Sequence, residues 1–202
     1  MNGKWFAMAC CVLLSACESS NQPTSAPAPA STATTSVAIS ASAAAPAVAA
    51  AANTATLAHY DGYGDMHFGM DDAAFDLAWG GELKTTTPAA GSSCINKRPL
   101  WVKVPADFAF MFEGGHFVRY DVGNAKDTAP GGGKVGMSEA QIRALYVQLE
   151  AQPHKYVEGA RYLRVKAPQG DAVLVFETDA GGKVTRWHAG VPPQVDYVEG
   201  CS

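Results

Sequence analysis

Basic runs are missing from this chain. Its 15 lysines and arginines are scattered among 19 aspartates and glutamates, giving a formal charge of −4 and a pI near 5.7. A nucleic-acid binder usually carries a basic face, so no nucleic-acid partner is expected. Metal-ligand spacing is missing too. His59, His67, His116, His154 and His188 form no His-x-His or His-Glu-x-x-His pair, and no Cys-x-x-Cys occurs. These histidines read as lone surface residues. No Gly-x-Ser-x-Gly elbow surrounds Ser92 or Ser93. The Gly131-Gly132-Gly133-Lys134 stretch continues with Val135, where a phosphate loop needs serine or threonine. The sequence therefore offers no catalytic residues, no cofactor site and no metal site, and it reads as a non-enzyme.

Charge itself disappears between Ser19 and Tyr60. Alanine, serine, threonine and proline fill that stretch, which buries too little large apolar surface to offset chain entropy. It reads as a disordered tether over residues 17–58. About 40 such residues span roughly 35 Å as a flexible coil. Ahead of it, Lys4 precedes an apolar run from Trp5 to Leu14 that is of signal-peptide length and too short to cross a bilayer.

That run ends in Leu14-Ser15-Ala16-Cys17. The four residues resemble the lipobox of bacterial lipoproteins. The resemblance implies a signal peptide over residues 1–16, lipidation of Cys17 and a stable multi-chain anchor. Glu18 follows the cysteine, where inner-membrane lipoproteins carry aspartate. The resemblance therefore implies an outer-membrane anchor with the folded part facing the periplasm.

The rest of the chain is organised as a repeat. Gly69-Met70-Asp71 lines up with Gly136-Met137-Ser138 at an offset of 67, as do Phe75 with Ile142 and Trp79 with Tyr146. Farther on, Gly115, Arg119, Tyr120 and Gly123 meet Gly182, Arg186, Trp187 and Gly190 at the same offset. Phe112-Glu113 meets Phe176-Glu177 at an offset of 64. The expected fold is α+β, with two tandem copies of a helix packed on an antiparallel sheet, over residues 59–128 and 129–202.

Asp71 and Ser138 are helix-cap residues, and Gln141 completes a capping box with Ser138. Gly80-Gly81 ends the first helix. Helical spacing places Trp79 and Tyr146 in the core. Strands are expected at Leu100–Val104, Phe108–Glu113 and Phe117–Val122, and again at Tyr162–Val165, Ala172–Glu177 and Val184–His188. Phe108, Phe110 and Phe112 alternate onto the helix-facing side. Glu113 and Glu177 read as cross-strand ion-pair partners of Arg119 and Arg186.

In an oxidising compartment Cys94 and Cys201 are expected to pair, clipping the tail back onto the first copy. The candidate binding residues are Trp101, Arg119, Tyr120, Arg186 and Trp187, because aromatic and arginine side chains carry a large share of interface energy. A short helix entered from Gly-Met, followed by strands and repeated, resembles the β-lactamase-inhibitor-protein architecture. It is also similar to the small outer-membrane lipoproteins of the barrel-assembly machinery. Residues 64–201 resemble outer-membrane lipoproteins of the Xanthomonas type, through Gly-Asp-Met-His-Phe-Gly-Met and Pro-Gln-Val-Asp-Tyr-Val-Glu-Gly-Cys. The first two resemblances are of architecture, and the absence of catalytic motifs together with the tandem fold points to a binding role. The expected partner is a periplasmic protein, met as an inhibitor, an immunity factor or an assembly scaffold. The alternative is a glycan or peptidoglycan.

Overall fold

The computed structural model describes residues 56–201. The expected signal peptide, Cys17 and the tether as far as residue 55 lie outside the described residues. Ala58, expected at the end of the tether, is already buried in strand β1 (Ala58–His59). Strands β2 (Gly62–Tyr63) and β3 (Met66–His67) complete a small antiparallel meander. Helix α1 (Asp72–Trp79) comes next, followed by β4 (Leu83–Thr85), β5 (Ile95–Pro99), β6 (Phe108–Glu113) and β7 (His116–Val122). The second half runs through α2 (Glu139–Leu145), β8 (Leu149–Pro153), β9 (Arg161–Lys166), β10 (Val173–Thr178) and β11 (Val184–Gly190). A short 3-10 turn (Gln194–Asp196) lies in the tail.

All eight strands from β4 to β11 belong to one antiparallel sheet, in the order β4-β5-β6-β7-β11-β10-β9-β8. The fold is thus α+β. The last strand of each half, β7 and β11, meet at the centre, and β4 and β8 are the two edges.

Helices of seven or eight residues are marginal in water, so capping and one deep anchor hold each of them. The Asp71 carboxylate accepts from the Ala74 amide, and Gly80 closes α1 in the left-handed region at φ 69°. Ser138 and Gln141 form the expected capping box on α2. Phe75 is fully buried, edge-on to Phe110, Phe112 and Phe117 at 4.8 to 4.9 Å. Ile142 occupies the corresponding place on α2, beneath the same continuous core. One turn later Tyr146 is buried, while Trp79 packs half-buried against that core. Each fully buried aromatic of this kind contributes about 1.5–3 kcal/mol of transfer free energy.

Backbone hydrogen bonds dock both helix entries in the same way. Gly69 and Gly136 donate to the carbonyls of Phe117 and Val184, and Phe117 and Val184 donate back to Met70 and Met137. Asp72 and Glu139 donate to Gly115 and Gly182.

Two expectations about the sheet are corrected. Leu100–Val104 is a loop and not a strand. The strand stops at Pro99, which has no N–H to donate, and the Val102 amide closes a turn onto the Pro99 carbonyl at 3.0 Å. Glu113 does not pair with Arg119. The register shifts between Met111 and Phe112, so Arg119 lies opposite Met111 and Glu113 lies opposite His116. A matching shift between Glu177 and Thr178 leaves Arg186 opposite Glu177, as expected. Such bulges insert one residue and change which face a side chain takes.

Candidate functional site

Side chains alternate across β7 and β11, and this alternation splits the expected binding residues between the two faces of the sheet. Tyr120 and Trp187 turn toward the helices. Both are fully buried and pack edge-on, with ring centroids 5.7 Å apart. The Tyr120 hydroxyl donates to the His59 carbonyl at 2.7 Å, which ties the small meander to the large sheet. Burial in the common core excludes both as exposed contact residues.

Arg119 turns to the opposite face and is also buried, at 2% exposure. Its Nε donates to both oxygens of Asp121, at 3.0 and 3.1 Å, and Nη2 closes the second arm of the fork. Nη1 reaches the carbonyls of Gln194, Val195 and Tyr197 in the tail. Arg119 is therefore a latch under the tail and not a surface anchor. Burial, the largest single influence, works to raise the Asp121 pKa, but the Arg119 charge and hydrogen bonds, together with neighbouring His188 and Arg186, outweigh it and hold the carboxyl below its ordinary value. Arg-x-Asp on one strand face is a sequence signal for this pair, masked by the expected partnership with Glu113.

The tail from Val191 onward crosses this face. Arg164 pairs with Asp196 at 2.5 Å, and the Cys94–Cys201 disulfide fixes the end. His188, expected at the surface, is buried at 3% exposure, and its Nε2–H donates to the Val195 carbonyl at 3.0 Å. Burial, and after it the neighbouring Arg119 charge, lowers its pKa to about 3, so it is neutral at ordinary pH. His67 lies elsewhere, exposed and 3.3 Å from Asp61.

Sequence reasoning missed a polar cluster beside His188. Glu177 is nearly buried, with His154, Arg186 and His188 each 3.6 Å from its carboxylate. The His154 ring stacks on Tyr162 at 4.5 Å. Of these residues Tyr162, Glu177 and His188 line a cavity of about 300 Å3 between the tail and strands β8 to β11. Their positions at alternate places on neighbouring strands carry the signal, but only after the register is known. Among the described residues, no group of three or more histidine, cysteine, aspartate or glutamate side chains is arranged to hold a metal ion. No helix there is long and apolar enough to cross a membrane.

Trp101 is the expected binding residue that stands out from the surface, with 74% of its area exposed. It stacks on Trp79 at 5.9 Å, and Trp79 in turn rests edge-on against the buried Phe110. Leu100 and Val104 on the same loop are 57% and 49% exposed. Next to the indole pair runs a groove of about 350 Å3, flanked by Lys103, Asp107 and Lys126. Arg186 is half-exposed on the opposite face, so the structure does not bring it together with Trp101.

No protein-family model and no curated protein matches this chain. Among solved structures it is similar to an extracellular protein containing an SCP domain from Bacillus anthracis. The identity is 10% and the TM-score 0.38, over 61% of this chain and 44% of that one.

Proposed function

We propose that this chain is a non-catalytic lipoprotein of the outer membrane, anchored through Cys17, that binds a protein partner in the periplasm. The observation that carries the reading is the 100–104 loop, where Leu100, Trp101 and Val104 stay exposed together. A tryptophan held flat on a second tryptophan loses little side-chain freedom on binding, which makes it a pre-organised anchor. Pro99 and Pro105 flank the loop and stiffen it further. The contact surface is therefore placed on this loop and away from the hairpin residues Arg119, Tyr120 and Trp187.

The two halves are read as copies of one unit. Supporting this, the docking hydrogen bonds of Gly69 and Gly136, and of Asp72 and Glu139, recur 67 residues apart. Asp121 and His188 are also separated by 67 residues, and they face each other across β7 and β11. An axis relating the copies would pass between that pair. The 100–104 loop breaks the likeness, since the second half has no exposed indole in its place. On this reading one copy was specialised for contact and the other for support.

The test is capture from an envelope extract of the source bacterium, with the full chain in detergent micelles as bait. One protein retained at a stoichiometric level, and lost with Trp101→Ala, is the expected result. Retention that ignores Trp101→Ala, or no retained protein, overturns the proposal. Retention of purified peptidoglycan alone would move the indole to a glycan-binding role, in which the ring stacks on sugar faces.

A further inference from the structure

The cavity beneath the tail, on the face away from Trp101, has the makings of a separate site. One wall is apolar and aromatic, formed by Val175, Val195 and Tyr162, which pack as one cluster; Gln152, Arg164 and Asp196 also line the cavity, and the Tyr162 hydroxyl is buried without a partner in the protein. Its polar end is formed by Glu177 and His188. Because the Val195 carbonyl can only accept, the His188 proton sits on Nε2, and Nδ1 keeps its lone pair. That Nδ1 atom is buried and has no hydrogen-bond partner within the protein, although the whole residue is only 3% exposed. It stands 3.6 Å from a Glu177 carboxylate oxygen. His188 Nδ1 therefore calls for a donor from outside the chain, and Glu177 beside it, which Arg186 and His154 approach only to 3.6 Å, offers a ligand a second, charged acceptor.

Charge narrows the class of donor. Arg186 faces Glu177, Arg164 pairs with Asp196, and Arg119 pairs with Asp121. Each of these arginines already has its own carboxylate, so no unmatched charge is left to compensate an ionic ligand in a poorly solvated site. A neutral molecule with two adjacent hydroxyls meets these demands. One hydroxyl donates to His188 Nδ1, its neighbour donates to Glu177, and the apolar side of the ring rests on Tyr162 and the valines.

We propose that this cavity binds a neutral sugar ring through a vicinal diol recognised by Glu177 and His188. The site is independent of the Trp101 loop, and its failure would leave the protein-binding proposal standing.

The experiment is a titration of the full chain, followed by nitrogen and aromatic NMR signals. The probes are glucose, N-acetylglucosamine and trans-1,2-cyclohexanediol, with cyclohexanol, glucosamine and glucuronate as comparisons. At least one neutral diol should shift the His188 and Tyr162 signals in a saturable way, while cyclohexanol should not. The charged sugars should bind more weakly than their neutral parent. Glu177→Gln should weaken the diol about tenfold or more, since a hydrogen bond to a charged group is lost. Gln152→Ala, at the exposed rim of the cavity, provides a second variant that leaves the buried residues in place. It should change affinity by a smaller factor and shift the same signals. Saturable shifts with N-acetylglucosamine that also appear with soluble peptidoglycan fragments would assign the source to cell-wall glycan, and shifts with free hexoses alone would assign it to a soluble sugar. Equal response to cyclohexanol, shifts confined to Trp101, or no saturable shift with any diol would overturn the proposal.

Discussion

At the residue scale the most informative side chain is Arg119, because an exposed reading and a buried one make opposite predictions. The guanidinium neutralises buried Asp121 and gathers three tail carbonyls. Removing one partner of such a pair leaves an uncompensated buried charge, which typically costs about 3–5 kcal/mol. Arg119→Met is therefore expected to lose that much in urea unfolding, and a loss under about 1 kcal/mol would put the arginine back at the surface. His188 adds a pH dependence with a definite sign. Its pKa falls from an ordinary 6.5 to about 3 on folding, so the unfolded chain takes up the proton first. The stability due to the neutral ring is complete above pH 6.5 and is lost progressively as pH falls toward 3. Asp121 acts in the same direction at lower pH, because its folded pKa lies below its ordinary 3.8. His188→Gln should flatten the upper part of that profile. An unchanged slope between neutral and mildly acidic pH would show that other groups set it.

At the scale of elements, the caps, glycine turns and hairpins were the most legible parts of the sequence. Asp71, Ser138 with Gln141, and Gly80 act where their residue types predict, because caps are decided by neighbours three or four residues away. Ser138→Ala should cost about 1 kcal/mol in thermal or urea unfolding. A null effect would mean that docking of Gly136 onto Val184 holds α2 without its cap. Gly133 is required for a different reason, since a Cβ there would sit 2.4 Å from the Phe176 ring. Less legible were features that depend on partners far along the chain. The bulge in β6–β7 sets the partners of Arg119 and Glu113, and neither it nor the one in β10–β11 is announced by a local signal. The recurring Phe-Glu at 112–113 and 176–177 misled for this reason. Glu177 lies opposite an arginine, whereas Met111 takes the equivalent place opposite Arg119.

At the scale of the whole molecule, one sheet serves both halves, with helices on one face and the tail on the other. The tail was legible as a clipped segment through Cys94 and Cys201, but its path across the sheet was not, because that path follows from Arg119 and His188 facing away from the helices. With its cysteines 107 positions apart in sequence, the disulfide restricts the unfolded chain, so Cys94→Ser/Cys201→Ser should lower stability by about 2–4 kcal/mol. It should also speed hydrogen exchange at 191–201 ahead of the rest. Uniform exchange across the sheet and tail would show that the tail does not open separately. The binding surface is half legible: residue type points to Trp101, but helical spacing places its platform Trp79 in the core, and the residues around the indole predict a strand where the structure has a loop.

The most direct measurement is photo-cross-linking in living cells from position 100, with a benzophenone amino acid replacing Leu100 beside the intact Trp79–Trp101 stack. The account predicts one discrete protein adduct that depends on irradiation, disappears with Trp101→Ala and is absent when the probe is placed at Gln169. No adduct from position 100, or the same adduct from position 169, would contradict it.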